Sequence, residues 1–251
     1  VKRSLSDADT DWSTAHFGVL KNRIERAVKD LASDLKDDIR TTVADRFKDG
    51  GQLTDDLLAR FEGERAKLDI PLDRTQLATW QDFSADLITD VSRDVIEDAS
   101  NALKRGIVGG KNPHDIIREI SRGLVDEDGN PLPGVWGNTL ARAEVIYRTE
   151  ANRAFAVGTH ARNLQHEDAD PGLKHIWLHS GNPTGRPSHV RAGEEYDVGG
   201  TPGPIGVREM FVIHAEDGTD YKCRYPRDPR LPASEAVACG CVASAWREDW
   251  A

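Results

Sequence analysis

Four side chains in the second half of the chain have the chemistry to hold a metal: His189, Cys223, Cys239 and Cys241. Thiolate and imidazole are good zinc ligands, and three cysteines with one histidine complete a tetrahedral structural site. Cys239 and Cys241 stand two residues apart, so on an extended strand both sulfurs point to one face. The commoner zinc spacing is Cys-x2–4-Cys, and the same residues also read as small buried side chains or free thiols. His175, His179 and His214 are alternative fourth ligands, the first two sharing a face of a strand-like segment. An odd number of cysteines excludes a fully paired disulfide framework within one chain, and Cys239 and Cys241 are too close for an easy bridge. A reducing compartment or a metal is the natural reading.

Two polar stretches accompany the cysteines. Arg148-Thr149-Glu150 lies on a helix, where the three side chains point in different directions. They read either as an internal clamp tying helix to sheet or as a solvated face, and the trio has no catalytic reading by itself. Tyr225-Pro226-Arg227-Asp228-Pro229-Arg230-Leu231-Pro232 contains three prolines, each fixing φ and removing a donor. This stiff loop sets the position of the cysteine segment that follows.

The elements that must carry these residues divide the chain in two. Phe17, Leu20, Ile24, Val28, Leu31, Leu35, Ile39, Val43 and Phe47 recur at steps of three and four, one apolar stripe on a long helix. Gly50-Gly51 is expected to end it, with a short helix following from Thr54 as N-cap and Pro71 closing that piece. A second stripe runs Leu77, Trp80, Ser84, Leu87, Val91, Val95, Ala99, Leu103 and stops at Gly109-Gly110. Asn112-Pro113 restarts a short helix. Two long amphipathic helices should fold back as an antiparallel hairpin. Residues 1–125 therefore read as a helical arm and 126–138, rich in turn residues, as a linker. Residues 139–251 read as a small α+β domain. It opens on a helix from about Thr139 to Leu164, followed by strands at Lys174–Ser180, Arg208–His214, Thr219–Tyr225 and Ala236–Trp246, with a hairpin turn at Glu216-Asp217-Gly218. The fold class is α+β, with a mostly antiparallel sheet.

Composition narrows the function. The 251 residues carry 33 basic and 43 acidic side chains, a net charge of −10, and neither half is basic. That charge opposes a dedicated DNA-binding surface. No run approaches the ~18 apolar residues of a membrane span, and no N-terminal stretch reads as a signal peptide. The chain opens on Val1 and its one methionine is Met210, so a processed or fused chain is expected.

The order of pieces is the strongest signal. Arg148-Thr149-Glu150-Ala151 is followed by Trp177 and by Arg186-Pro187-Ser188-His189. Tyr225-Pro226-x-Asp228-Pro229 and Ala238-Cys239-Gly240-Cys241 complete the series. This series resembles the Mu F-like minor head protein family of tailed bacteriophages, also called head morphogenesis proteins, over roughly 139–246. In that family the pattern is an Arg-Thr-Glu helix, an Arg-x-x-His segment, a Tyr-Pro-x-Asp-Pro loop and a closing Asn-Cys-Arg-Cys. The resemblance implies a virion component inside the capsid near the portal, assembled in the host cytoplasm and acting in head assembly and in DNA packaging or ejection. It implies the portal protein as partner, with the major capsid protein and further copies of the chain as candidates and genomic DNA close by. It implies no catalytic activity and no membrane. Arg148, Thr149, Glu150, Trp177, Arg186, Tyr225, Pro226, Asp228 and Pro229 then carry structural roles. Two other classes fit parts of the chain. A metal-dependent nuclease or hydrolase would use His189 with Glu194 or Glu195. A coiled-coil adaptor would use the helical hairpin to grip a partner.

Overall fold

The computed structural model describes residues 14–63, 68, 71, 73–108, 113–122, 135–183 and 185–250. Long helices come first: α1 (Thr14–Glu62), α2 (Arg74–Val108), α3 (Pro113–Arg122) and α4 (Val135–Ala169). Short elements follow: β1 (Lys174–Leu178), α5 (Pro187–Glu195), β2 (Ile205–Gly206), β3 (Phe211–His214), β4 (Asp220–Cys223), the one-turn α6 (Ala233–Ala236) and β5 (Val242–Trp246). A 3-10 turn at Glu248–Trp250 comes last among the described residues. The chain is mostly helical with a small antiparallel sheet region after the helices, an α+β fold. The stretch 126–138 lies outside the described residues through 134, and 135–138 already belong to α4.

Packing groups the chain into two compact units: residues up to Ile39 with Phe83–Ile146, and Arg40–Asp82 with the residues from Tyr147 onward. In the first, Ile24 and Val28 of α1 meet Val91, Val95, Ala99, Ala102 and Leu103 of α2 and Ile116 and Ile120 of α3, with Ile146 of α4 against them. These are the 3.6-period positions that helices bury. Leu31, expected on the stripe, is 48% exposed, and Ala32 takes the buried place because the seam here steps by four from Ile24 to Val28 to Ala32. α2 begins after Asp73, whose Oδ1 accepts from the Thr75 amide at 2.8 Å, satisfying a helix-end donor.

In the second unit α1 departs from expectation. It does not stop at Gly50-Gly51 but runs as one 49-residue helix to Glu62. The glycines serve a close approach instead. A Cβ on Gly50 would sit 2.0 Å from the Phe155 carbonyl oxygen, and one on Gly158 would sit 1.9 Å from that of Phe47. Each helix thus offers a glycine to the other's backbone, and the contact outweighs the ~1 kcal/mol that a helical glycine costs. Thr54, expected as an N-cap, is buried mid-helix and donates to Asn163 Oδ1 at 2.7 Å.

The sheet order is β2-β1-β5, all antiparallel, with β3-β4 as a separate hairpin. β5 pairs with β1 from Lys174↔Trp246 to Leu178↔Val242. The donor set His189, Cys223, Cys239 and Cys241 implies that this last strand runs beside the one bearing Cys223, and it does not. β4 is taken by its hairpin partner, Phe211 opposite Cys223 and His214 opposite Asp220, and the proline-stiffened loop leads the chain away from it. The expected strand at Ala236–Trp246 also begins late. The chain makes one helical turn at Ala233–Ala236, passes Ala238 at φ 55°, and enters the sheet only at Val242. Trp177 and Phe211 are fully buried and meet edge to face at 5.3 Å, an arrangement aromatic pairs favour. Leu58, Leu173, Val207 and Ala245 form a second apolar cluster.

Candidate metal centre

His189 stands in the first turn of α5, which opens with Pro187 at a position where its missing N–H is no loss. Cys239 and Cys241 lie in the turn between α6 and β5, not on the strand. The turn brings both sulfurs to one ring nitrogen: His189 Nδ1 is 3.3 Å from Cys239 Sγ and 3.6 Å from Cys241 Sγ. The three donor atoms lie within 4.8 Å of one another, and all three residues are buried. Tetrahedral coordination at ~2.3 Å to sulfur and ~2.0 Å to nitrogen puts N and S about 3.5 Å apart. The separations found bracket that edge. This buried His189–Cys239–Cys241 group could hold a metal ion.

The surroundings suit that role. The other ring nitrogen, Nε2, lies 3.0 Å from Glu235 Oε2, and Ser188 Oγ donates to the same oxygen at 2.9 Å. A carboxylate behind a ligating histidine fixes its tautomer and orientation. Trp177 packs edge-on against the imidazole, centroids 5.4 Å apart. The two thiols shift in opposite directions. A hydrogen bond from the Cys241 thiol, helped by His189 and by the charge of Arg227, holds Cys239 well below the usual thiol range. The same hydrogen bond pushes Cys241 up, with burial adding to it.

Cys223 stands outside this group. It ends β4, fully buried opposite Phe211, where desolvation raises its pKa and keeps the thiol neutral. Nor do the alternative histidines join. His175 packs on Phe211 at 4.3 Å, His179 Nδ1 accepts from the Gly181 amide, and His214 Nδ1 sits 2.7 Å from Asp220. Glu194 is exposed, and Glu195 Oε2 lies 3.8 Å from His214 Nε2. Among the described residues, no carboxylate beside His189 in sequence turns toward it.

The remaining motif residues fasten the loop 224–241. Thr149 Oγ1 accepts from the Ala238 amide at 3.1 Å, and Arg186 Nη2 donates to the Val237 carbonyl at 2.6 Å. Glu150, buried, pairs with Arg153, whose Nε donates to the Arg227 carbonyl at 2.8 Å. Arg227, itself buried, donates to the carbonyl of Cys239. Asp228 accepts from the amides of Arg224 at 2.8 Å and Arg230 at 3.0 Å. Tyr225 and Pro226 are buried, while Arg148 and Pro229 are exposed. Sequence reasoning missed Glu235, Ser188, Arg153 and Arg227. Ser188 and Arg227 had a signal, their places beside His189 and inside the proline-rich loop.

An alignment 140 positions long, covering 53% of the chain, is 32% identical to the uncharacterized protein YqbB of Bacillus subtilis (strain 168). The chain spans 42% of that protein's length. No family model matches the chain, and no solved structure does.

Proposed function

We propose that the chain is a non-catalytic minor structural protein of a tailed-phage head, placed inside the capsid near the portal and acting in head assembly and in DNA packaging or ejection. One observation carries this reading. The ordered motif residues that suggest the family are mostly buried and are spent on holding one loop: Thr149 on Ala238, Arg186 on Val237, Asp228 on its own turn, and His189 with Cys239 and Cys241. Side chains engaged in this way support a scaffold rather than a reaction centre. The portal protein is the primary partner, with the major capsid protein and further copies of the chain next. Co-sedimentation of the full chain with purified portal rings tests the reading. Retention on the rings is the expected result. A chain that stays in the supernatant, and is missing from intact particles by mass spectrometry, overturns it.

Zinc is the metal proposed for the site. Two thiolates and an imidazole select a borderline-soft ion with no geometric demand of its own. When bound, zinc supplies a charge that draws the two thiolates and the imidazole together. His189, Cys239 and Cys241 would thereby tie α5 to the turn before β5. Elemental analysis of the purified chain should give one zinc per chain, and freely titrating thiols with no zinc would remove the metal from this account.

A further inference from the structure

Within the first unit, α1, α2 and α4 together line an apolar cavity of about 180 Å³. Val28 of α1 and Val91 and Val95 of α2 contribute buried wall, and Ala143 brings in α4. Its polar side chains are two hydroxyls, Ser92 and Thr139. Ser92 already donates to the Ile88 carbonyl one turn back at 2.6 Å, the local bond such residues make inside helices. An internal water is stable where it makes about three hydrogen bonds, and this wall does not furnish them. Leu31 also lines the cavity and is 48% exposed, so the space opens to solvent beside it.

We infer that this cavity is a binding site for a small uncharged apolar molecule, an aromatic ring or a short alkyl chain. Size and wall chemistry select that class. An apolar protein cavity of about 150 Å³ stays dry and takes up benzene, and this one is slightly larger. The opening selects against acids. Asp34 and Asp38 follow Leu31 and Leu35 by three residues on α1, which makes them neighbours on the helix surface, and both are exposed. A fatty acid or other carboxylate would meet like charge there. On α4, Arg142 lies three residues beyond Thr139 and is held by Asp94 of α2 at 2.7 Å. A docked protein would want a broad apolar patch with its charges kept to the rim, whereas here a single half-exposed leucine stands among carboxylates. The inference is independent of the head-protein reading, since it uses only the helical unit.

Methyl-detected NMR of the full chain, with benzene as the probe, tests this. Benzene should shift the Val28, Val91 and Val95 methyl resonances in a saturable way, and benzoate at the same concentration should leave them in place. That comparison needs no variant. Ala143→Leu extends a larger side chain into the space and should weaken benzene binding by at least about tenfold, because the ligand's volume is then occupied. Its circular dichroism should match that of the native chain. Methyl groups that ignore benzene overturn the inference. So do shifts that grow without saturating, shifts that benzoate reproduces, or binding that survives unchanged in the folded Ala143→Leu chain.

Discussion

Glu235 touches the metal group only through His189, 3.0 Å from its Nε2, so its effect should be one of positioning. Glu235→Gln should leave the chain folded and lower zinc affinity by about 10–100-fold, the usual cost of losing such a partner, as read by competition with a chromophoric chelator. Cys239→Ser and Cys241→Ser should each lose the bound zinc, whereas Cys223→Ser should keep one equivalent, because Cys223 ends β4 outside the group. A second residue-scale consequence concerns acid. Burial lowers His175 to about 3, and burial with the nearby charge of Arg224 lowers His160 to about 4. Both ordinarily titrate near 6.5, so the unfolded chain takes up protons first. Stability is therefore complete above pH 6.5 and lost progressively as pH falls toward those two values, at ~1.4 kcal/mol per unit of depression. Replacing His175 by Phe, which can pack on Phe211, should flatten the fall of the urea midpoint between pH 6.5 and 4. An unchanged acid limb would count against this assignment.

At the scale of elements, the glycine pair gives the clearest test. Gly50→Ala and Gly158→Ala each drive a methyl into a carbonyl of the facing helix, at 2.0 and 1.9 Å. Each should destabilise the chain by several kcal/mol although alanine is the better helix former. Gly18→Ala on the same α1 meets nothing within 4 Å, and should instead stabilise by up to ~1 kcal/mol. Urea unfolding of the three variants reads both signs. These glycines also show what the sequence could and could not convey. The long stripes were legible because helical periodicity is local, and β1, β3 and β4 were legible because short alternating runs are too. Whether Gly50 stops a helix or admits a neighbour depends on Phe155, more than a hundred residues away. The partner of β5 was likewise hidden, since pairing with β1 rather than β4 is a long-range choice. The His189–Cys239–Cys241 trio was read from donor chemistry alone, and Glu235 was missed because nothing local marks a lone glutamate as facing a histidine.

At the scale of the whole molecule, charge governs contacts with polyanions. With a net −10, the chain should show no measurable affinity for labelled duplex DNA at physiological ionic strength. Any binding at low salt should vanish steeply as salt is added. Fluorescence anisotropy across a salt series checks this, and tight binding at physiological salt would contradict it. The sheet adds a consequence in time. Its central strand, β1, is made well before β5, which covers its other edge and follows Cys239 and Cys241. Such distant pairing is slow to form. During synthesis Trp177 therefore waits with one flank open until Trp246 has left the ribosome. A chain interrupted before that point lacks its complete last strand, and it would meet the cell's proteases as an unfinished sheet.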